Sequence, residues 1–232
     1  MIAAEQLLLN VRPREDARLS DFDVPAYAEV LAAARQLLEL PASLLYLYGE
    51  PENGHRYWLA GLCAEAEQKG LRAILLPLSE LRDEDPALLL ALEAQDLIVC
   101  DDIEAIAGHA AWQEALFHLF NRARATGCRL VFSAQYTPAQ CGITLPDLVS
   151  RLASAPVWPL GLLDDESRLM LIKAAALRRG LIMEAEVARY LVLRGPRPVE
   201  QLLGLLERVD KRSLVIGRRV TVPFIRQVLE VT

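Results

Sequence analysis

The chain has 232 residues, 53% of them hydrophobic, and a formal charge of −6 at neutral pH. This is enough for one large domain, or a larger and a smaller one, around a substantial core. The acidic balance argues against autonomous binding of nucleic acid through the overall field and leaves only a local basic patch as a route to DNA. The longest uninterrupted apolar run, Ala87 to Leu92, is far too short to span a bilayer. Glu5 stands beside the first hydrophobic residues, so neither a membrane span nor a secretion signal is expected. Cys63, Cys100, Cys128 and Cys141 lie far apart without metal-ligand spacing, which fits a reduced, cytoplasmic protein.

Residues 1–24 carry no sustained periodicity, and Arg12-Pro13-Arg14-Glu15-Asp16 predicts a solvated connector within a tail. The island Gln6-Leu7-Leu8-Leu9-Asn10-Val11 is either a packing strand or a linear motif offered to a partner, and by itself it favours packing. From Pro25 to Glu39 the spacing of Tyr27, Val30, Leu31, Ala34 and Leu38 predicts a helix, which Pro41 stops before an apolar strand at Leu44. That strand enters a turn bracketed by Gly49 and Gly54 and leaves into a helical pattern. This is the outline of a phosphate loop, although a plain strand-to-helix turn has the same two glycines. In Gly-x-x-x-x-Gly-Lys-Ser/Thr the backbone N–H groups cradle phosphates, Lys neutralises the terminal ones and the hydroxyl holds magnesium. Here His55 takes the Lys position and Arg56 the hydroxyl position. Charge neutralisation is only partly replaced and the metal ligand is missing.

Further strand-like runs begin at Arg72, Leu97, Leu130 and Val157, each apolar on both faces and separated by helical patterns. The alternation predicts a buried parallel sheet covered on both sides. The third run ends in Asp101-Asp102, the form of a Walker B motif, in which the first carboxylate orients magnesium and the second polarises water; acids closing a strand at a cleft look the same. Ser133-Ala134-Gln135 closes the fourth strand, where a polar side chain would lie between those carboxylates and the phosphates. Leu145 to Leu152 is a short amphipathic segment whose Arg151 either projects toward a partner or is merely solvated, and Gly195-Pro196-Arg197-Pro198 puts an arginine at the mouth of a later helix, placed to reach back to a phosphate or simply to the base. Beyond Leu160 only helical patterns remain, apart from Leu214-Val215-Ile216 and Val220-Thr221-Val222, which flank Gly217 like a minor hairpin before a final helix. The expected organisation is a tail (1–24), an α/β base (25–160) and a small helical domain (161–232).

In order, the phosphate-loop outline, Leu97 to Gly108, Trp112 to Arg124 with Phe120-Asn121-Arg122, Leu145-Pro146-Asp147-Leu148 to Leu152, and Val222-Pro223-Phe224-Ile225 resemble the DnaA-type AAA+ proteins over nearly the whole chain. Within them the pattern is similar to the regulators that inactivate DnaA. The resemblance implies an AAA+ P-loop core with a five-stranded parallel sheet and a helical lid, without the helix-turn-helix domain that binds origins. It implies ADP as the preferred nucleotide, and the residues falling on its nucleotide positions are Gly49, Asn53, Gly54, His55, Arg56, Asp101, Asp102, Gln135 and the lid's Arg197. It implies an N-terminal motif for the sliding clamp of DNA polymerase, matched at Gln6, Leu7 and Leu9 and departed from at Val11, and it puts Arg151 on the family's arginine finger. The implied function is negative regulation of replication initiation, in which the protein with the DNA-loaded clamp stimulates hydrolysis of DnaA-bound ATP; His55 and Arg56 in the loop predict that it does not turn over ATP appreciably by itself. A self-contained ATPase, such as a helicase loader or transposition accessory protein, and a scaffold without nucleotide chemistry are the alternatives. Homo-oligomerisation stays open.

Overall fold

Parallel strands need crossovers, and the crossovers cover both faces of the sheet with helices, so strands apolar on both sides belong at its centre. The computed structural model describes residues 17–92, 94–216 and 219–230. In it β1 (Leu44–Tyr48), β2 (Ala73–Pro77), β3 (Leu97–Asp101), β4 (Arg129–Ala134) and β5 (Val157–Pro159) form one sheet in the order β2-β3-β4-β1-β5. Every pairing is parallel, with Leu45 opposite Val131 and Val99 opposite Val131 across the centre. This is the five-stranded α/β architecture expected. Alternate residues feed two cores: Leu45, Leu47, Leu97, Val99 and Val131 face one, and Tyr46, Ile98, Cys100, Leu130 and Phe132 face the other.

On the first face lie α1 (Ala28–Glu39) and α2 (His55–Gln68). α1 buries Val30, Leu31, Ala34, Leu37 and Leu38, a single stripe at helical spacing. α2 is buried nearly all round from Tyr57 to Cys63. The reason is that residues 17–24 cross its outer side. A Cβ at Gly61 would stand 2.5 Å from the Leu19 backbone nitrogen, so glycine permits the crossing. The expectation of a solvated tail through residue 24 is therefore corrected for its last part. Leu19–Phe22 forms a 3-10 turn, and Ala17, Leu19, Phe22 and Val24 are core residues. Four-residue turns show no periodicity, which hid them. Residues 1–16 lie outside the described residues, and with them Gln6, Leu7 and Leu9.

The second face carries α3 (Leu78–Leu81), a 3-10 stretch over Pro86–Leu92, α4 (Ala110–Thr126) and α5 (Pro146–Ala153). α4 ends at Gly127, whose positive φ of 79° provides the left-handed C-cap, and α5 starts with Pro at its first turn. The helical part follows as α6 (Asp165–Arg178), α7 (Ala185–Arg194), α8 (Val199–Ile216) and α9 (Val222–Glu230). Asp164 caps α6 by accepting a 2.7 Å hydrogen bond from the Ser167 amide. The hairpin expected around Gly217 is corrected: Leu214 to Ile216 continue α8, and Val222 opens α9. Burial of Leu202, Leu203, Leu206 and Val209 extends a helix into a β-branched stretch, which intrinsic preference alone assigns to a strand. All four cysteines are buried and unpaired, and no helix among the described residues is long and apolar enough to cross a membrane.

The apolar sides of α6 to α9 join the same core as α1 and α2, so the small helical part and the base share one continuous interior. An ion pair with a buried carboxylate crosses the seam. Asp21, in the turn before α1, accepts from Arg178 of α6 at Nε (3.1 Å) and Nη2 (2.7 Å) and from the Tyr57 hydroxyl of α2 (3.2 Å). Removing the guanidinium strands a buried carboxylate, which costs far more than the pair contributes net. Arg178→Ala is expected to lower unfolding stability by about 3 kcal/mol, measured by urea titration of the purified protein; a change within experimental error would show the seam held by apolar packing alone.

Candidate functional site

The carboxyl end of β1 meets the segment leading from β5 into α6. Gly49 follows β1 with φ +156°, and a Cβ there would lie 2.3 Å from the Leu160 carbonyl oxygen. The turn Pro51–Asn53 leads to Gly54, left-handed at φ +80°, and α2 begins at His55. Glycine at these two positions is thus required sterically, once by close approach and once by backbone conformation. Asn53, 2% exposed, donates its side-chain amide to the Leu160 carbonyl, and the Tyr27 hydroxyl donates to the Gly161 carbonyl at 2.8 Å. Loop and connection to the helical part are therefore bonded together. From the far side the Val199 side chain, at the start of α8, packs on Gly54; its Cγ1 is 2.8 Å from where a Cβ would stand. The Asn53 Oδ1 atom is buried without a partner in this loop.

His55 does not supply the charge of the lysine it replaces. It is 8% exposed, its buried Nε2 has no hydrogen-bond partner, and burial drives its pKa down to about 4 against the opposing pull of the Asp102 carboxylate. At neutral pH it is an uncharged ring. Arg56 is charged, and it turns to the acids. Its Nη1 lies 2.7 Å from Glu80 Oε1, its Nε 3.6 Å from Asp101 Oδ2 and its Nη2 3.8 Å from Asp102 Oδ2. Burial works to lower its pKa, but the three carboxylates outweigh that and the net direction is up.

Asp101, 2% exposed at the end of β3, accepts a hydrogen bond from Ser133 at the end of β4. Burial, aided by the neighbouring Asp102 charge, pushes its carboxyl up to about 6 in spite of the Ser133 bond and Arg56. Asp102 adopts a left-handed conformation, φ +59°, and accepts from the Ser79 hydroxyl at 2.5 Å. The polar side chain expected between carboxylates and phosphates is Ser133, and it is committed to Asp101. Gln135 is exposed, and what it contributes is its backbone N–H, donated to Glu104 at 3.0 Å. Glu104 and Val199 escaped the sequence reading, because a single acid two residues beyond Asp102 and a single valine opening a helix carry no distinctive pattern. Burial raises the Glu104 pKa.

Arg197 is 79% exposed, two residues before Val199, with a 3.8 Å contact to Asp165 of α6. Arg151 is exposed on α5, whose Leu148 and Leu152 are buried in the core opposite to the one that holds α2. Its guanidinium stands 5.7 Å from the centroid of the Phe120 ring, and among the described residues it forms no salt bridge, the one to Asp147 included. Magnesium does not fit the site. The position of the hydroxyl ligand is occupied by a cation directed at the Walker carboxylates, and among the described residues no three His, Cys, Asp or Glu side chains converge to hold a metal ion.

His55 makes stability depend on pH with a definite sign. Its folded pKa lies below the ordinary histidine value, so between pH 6.5 and about 4 the unfolded chain binds the extra proton and stability falls as pH falls. Asp101, raised in the fold, acts in the opposite direction between about 6 and 4. Replacing His55 alone isolates its part. Between pH 7 and 5 the wild type is expected to lose about 1–2 kcal/mol more than His55→Leu, read from paired urea titrations; parallel losses would mean that the ring is hydrated.

Comparison with known proteins gives the same architecture. Residues 165–229 match the family described as Hda, lid domain, and residues 80–159 that described as bacterial DnaA ATPase domain. An uncharacterised protein of Haemophilus influenzae is 32% identical over 97% of this chain and 98% of its own length. Domain III of the replication initiation protein DnaA of Thermotoga maritima superposes with a TM-score of 0.77 at 20% identity, covering 94% of this chain and 97% of that one. AMPPCP-bound DnaA from Aquifex aeolicus superposes with a TM-score of 0.65 at 20% identity, over 85% of this chain and 66% of that one. The fold is thus an AAA+ α/β fold with a helical lid, in which residues 80–159 match the DnaA ATPase model and residues 165–229 the Hda lid model.

Proposed function

We propose that this chain is a negative regulator of replication initiation. Docked by Gln6, Leu7 and Leu9 on the DNA-loaded sliding clamp, it presents Arg151 to nucleotide held by DnaA and promotes hydrolysis of that ATP. The observation that carries this reading is an asymmetry between two arginines. Arg56, in the chain's own phosphate loop, is consumed by Glu80, Asp101 and Asp102. Arg151 is exposed on a helix held by Leu148 and Leu152. A guanidinium supplied across an interface stabilises the charge that shifts onto the phosphoryl oxygens in transfer, and in known switches its effect is on the order of a thousandfold or more. A neutral His55 and an occupied Asp101-Asp102 pair weigh against a self-contained ATPase.

The nucleotide that suits this chain's own loop in this reading is ADP without metal. Orphan N–H groups at the start of α2, behind the left-handed Gly54, suit a phosphate, and Arg197 stands on the neighbouring helix entrance. When bound, the nucleotide would be a structural ligand that bridges base and lid.

Turnover of DnaA-bound ATP in the presence of clamp on DNA tests the proposal. Wild-type protein is expected to accelerate loss of ATP, and a folded Arg151→Ala protein to keep clamp binding and lose the acceleration, with Arg151→Lys a poor substitute. Full stimulation by Arg151→Ala would end the trans-arginine reading. Gln6→Ala with Leu9→Ala is expected to abolish capture by the clamp without moving the thermal unfolding midpoint; unaltered capture would return those residues to the fold.

A further inference from the structure

The position after the Gly54-His55 pair normally carries the hydroxyl that ligates a divalent cation beneath a phosphate, and here a guanidinium reaches from it to the ends of β3 and α3. Three carboxylates surround that guanidinium: Glu80 at 2.7 Å, Asp101 at 3.6 Å and Asp102 at 3.8 Å. The acids are also held from the other side, Asp101 by the Ser133 hydroxyl and Asp102 by the Ser79 hydroxyl. A magnesium ion on Asp101 or Asp102 needs oxygen ligands at 2.0–2.1 Å in octahedral array. Such an ion would share the space of the Arg56 fork and stand within about 4 Å of its positive charge, where the repulsion between a divalent ion and a guanidinium is twice that between two single charges. The guanidinium cannot deprotonate to relieve it.

We propose that Arg56 is a resident cation, carried on the chain itself, that takes the place of the divalent metal at the Walker carboxylates and excludes it. Glu80, Asp101 and Asp102 are thereby kept together at every metal concentration, and the site does not respond to magnesium. This does not rest on the nucleotide reading, because the exclusion operates with the loop empty.

Manganese, a paramagnetic substitute for magnesium, tests it on the full chain without nucleotide. Backbone amide signals of Ser79, Asp101 and Asp102 are followed by NMR as Mn2+ is added, since even weak binding broadens nearby signals. In the wild type these signals are expected to resist broadening. In Arg56→Ser they are expected to broaden at no more than one-tenth of the Mn2+ concentration the wild type requires. Arg56→Gln, closer in shape to arginine, repeats the test if the serine variant does not fold, which the same spectra reveal. Local broadening of the wild type at the concentrations that affect the folded variant would overturn the proposal. So would a folded variant as resistant as the wild type.

Discussion

Three carboxylates gathered at one end of a parallel sheet repel one another, and a single guanidinium settles that repulsion. Arg56 reaches Glu80, Asp101 and Asp102 from the first turn of α2, so the phosphate-loop helix, the end of β3 and the short α3 are joined by charge where a P-loop protein would join them through a metal and a nucleotide. The planar fork with several donors suits this better than an ammonium would, because it addresses acids lying in different directions. Burial, and after it the neighbouring Asp102 charge, still raises the carboxyl of Asp101, with Ser133 and Arg56 acting against both.

The same substitution of protein contacts for ligand contacts runs up to the lid. Asn53 and Tyr27 bond the connection at Leu160 and Gly161, Val199 packs on Gly54, and Asp21 pairs with Arg178 across the seam. The stacked rings of Phe22 and Tyr27, with centroids 6.0 Å apart, lie in the same region, and Tyr57 closes the group against Phe22 at 5.8 Å. Aromatic clusters of this kind bury large areas with few rotatable bonds and hold their neighbours in one arrangement.

Much of this was readable in the sequence, and what was not has physical reasons. Strands apolar on both faces announced a covered parallel sheet because burial on two sides leaves no polar residue to alternate with. Gly49 and Gly54 announced the loop because no other residue fits their backbone demands. The partner of Arg56 was invisible: a one-dimensional pattern records that a hydroxyl is missing but not where the replacing side chain goes. The last part of the 1–24 tail hides its structure because a 3-10 turn has no repeat, although Leu19, Phe22 and Val24 are apolar residues in plain view. Val215 and Ile216 favour a strand locally because they are β-branched, and they instead continue a helix whose packing is set upstream at Leu202, Leu203, Leu206 and Val209. Which polar group at the end of β4 meets the Walker acids is set by alternation: the Ser133 hydroxyl points to Asp101, and Gln135, two residues on and exposed, donates its backbone N–H to Glu104.

The bond from Asn53 to Leu160 has a mechanical meaning. One amide belongs at once to the loop that would cradle a phosphate and to the joint on which the lid turns. In a nucleotide-driven machine that joint is the moving part, and its angle is the output. Here the Asn53 amide, the Tyr27 hydroxyl and the Asp21–Arg178 pair all cross that joint, so a turn of the lid has to break protein bonds as well as any made to a ligand.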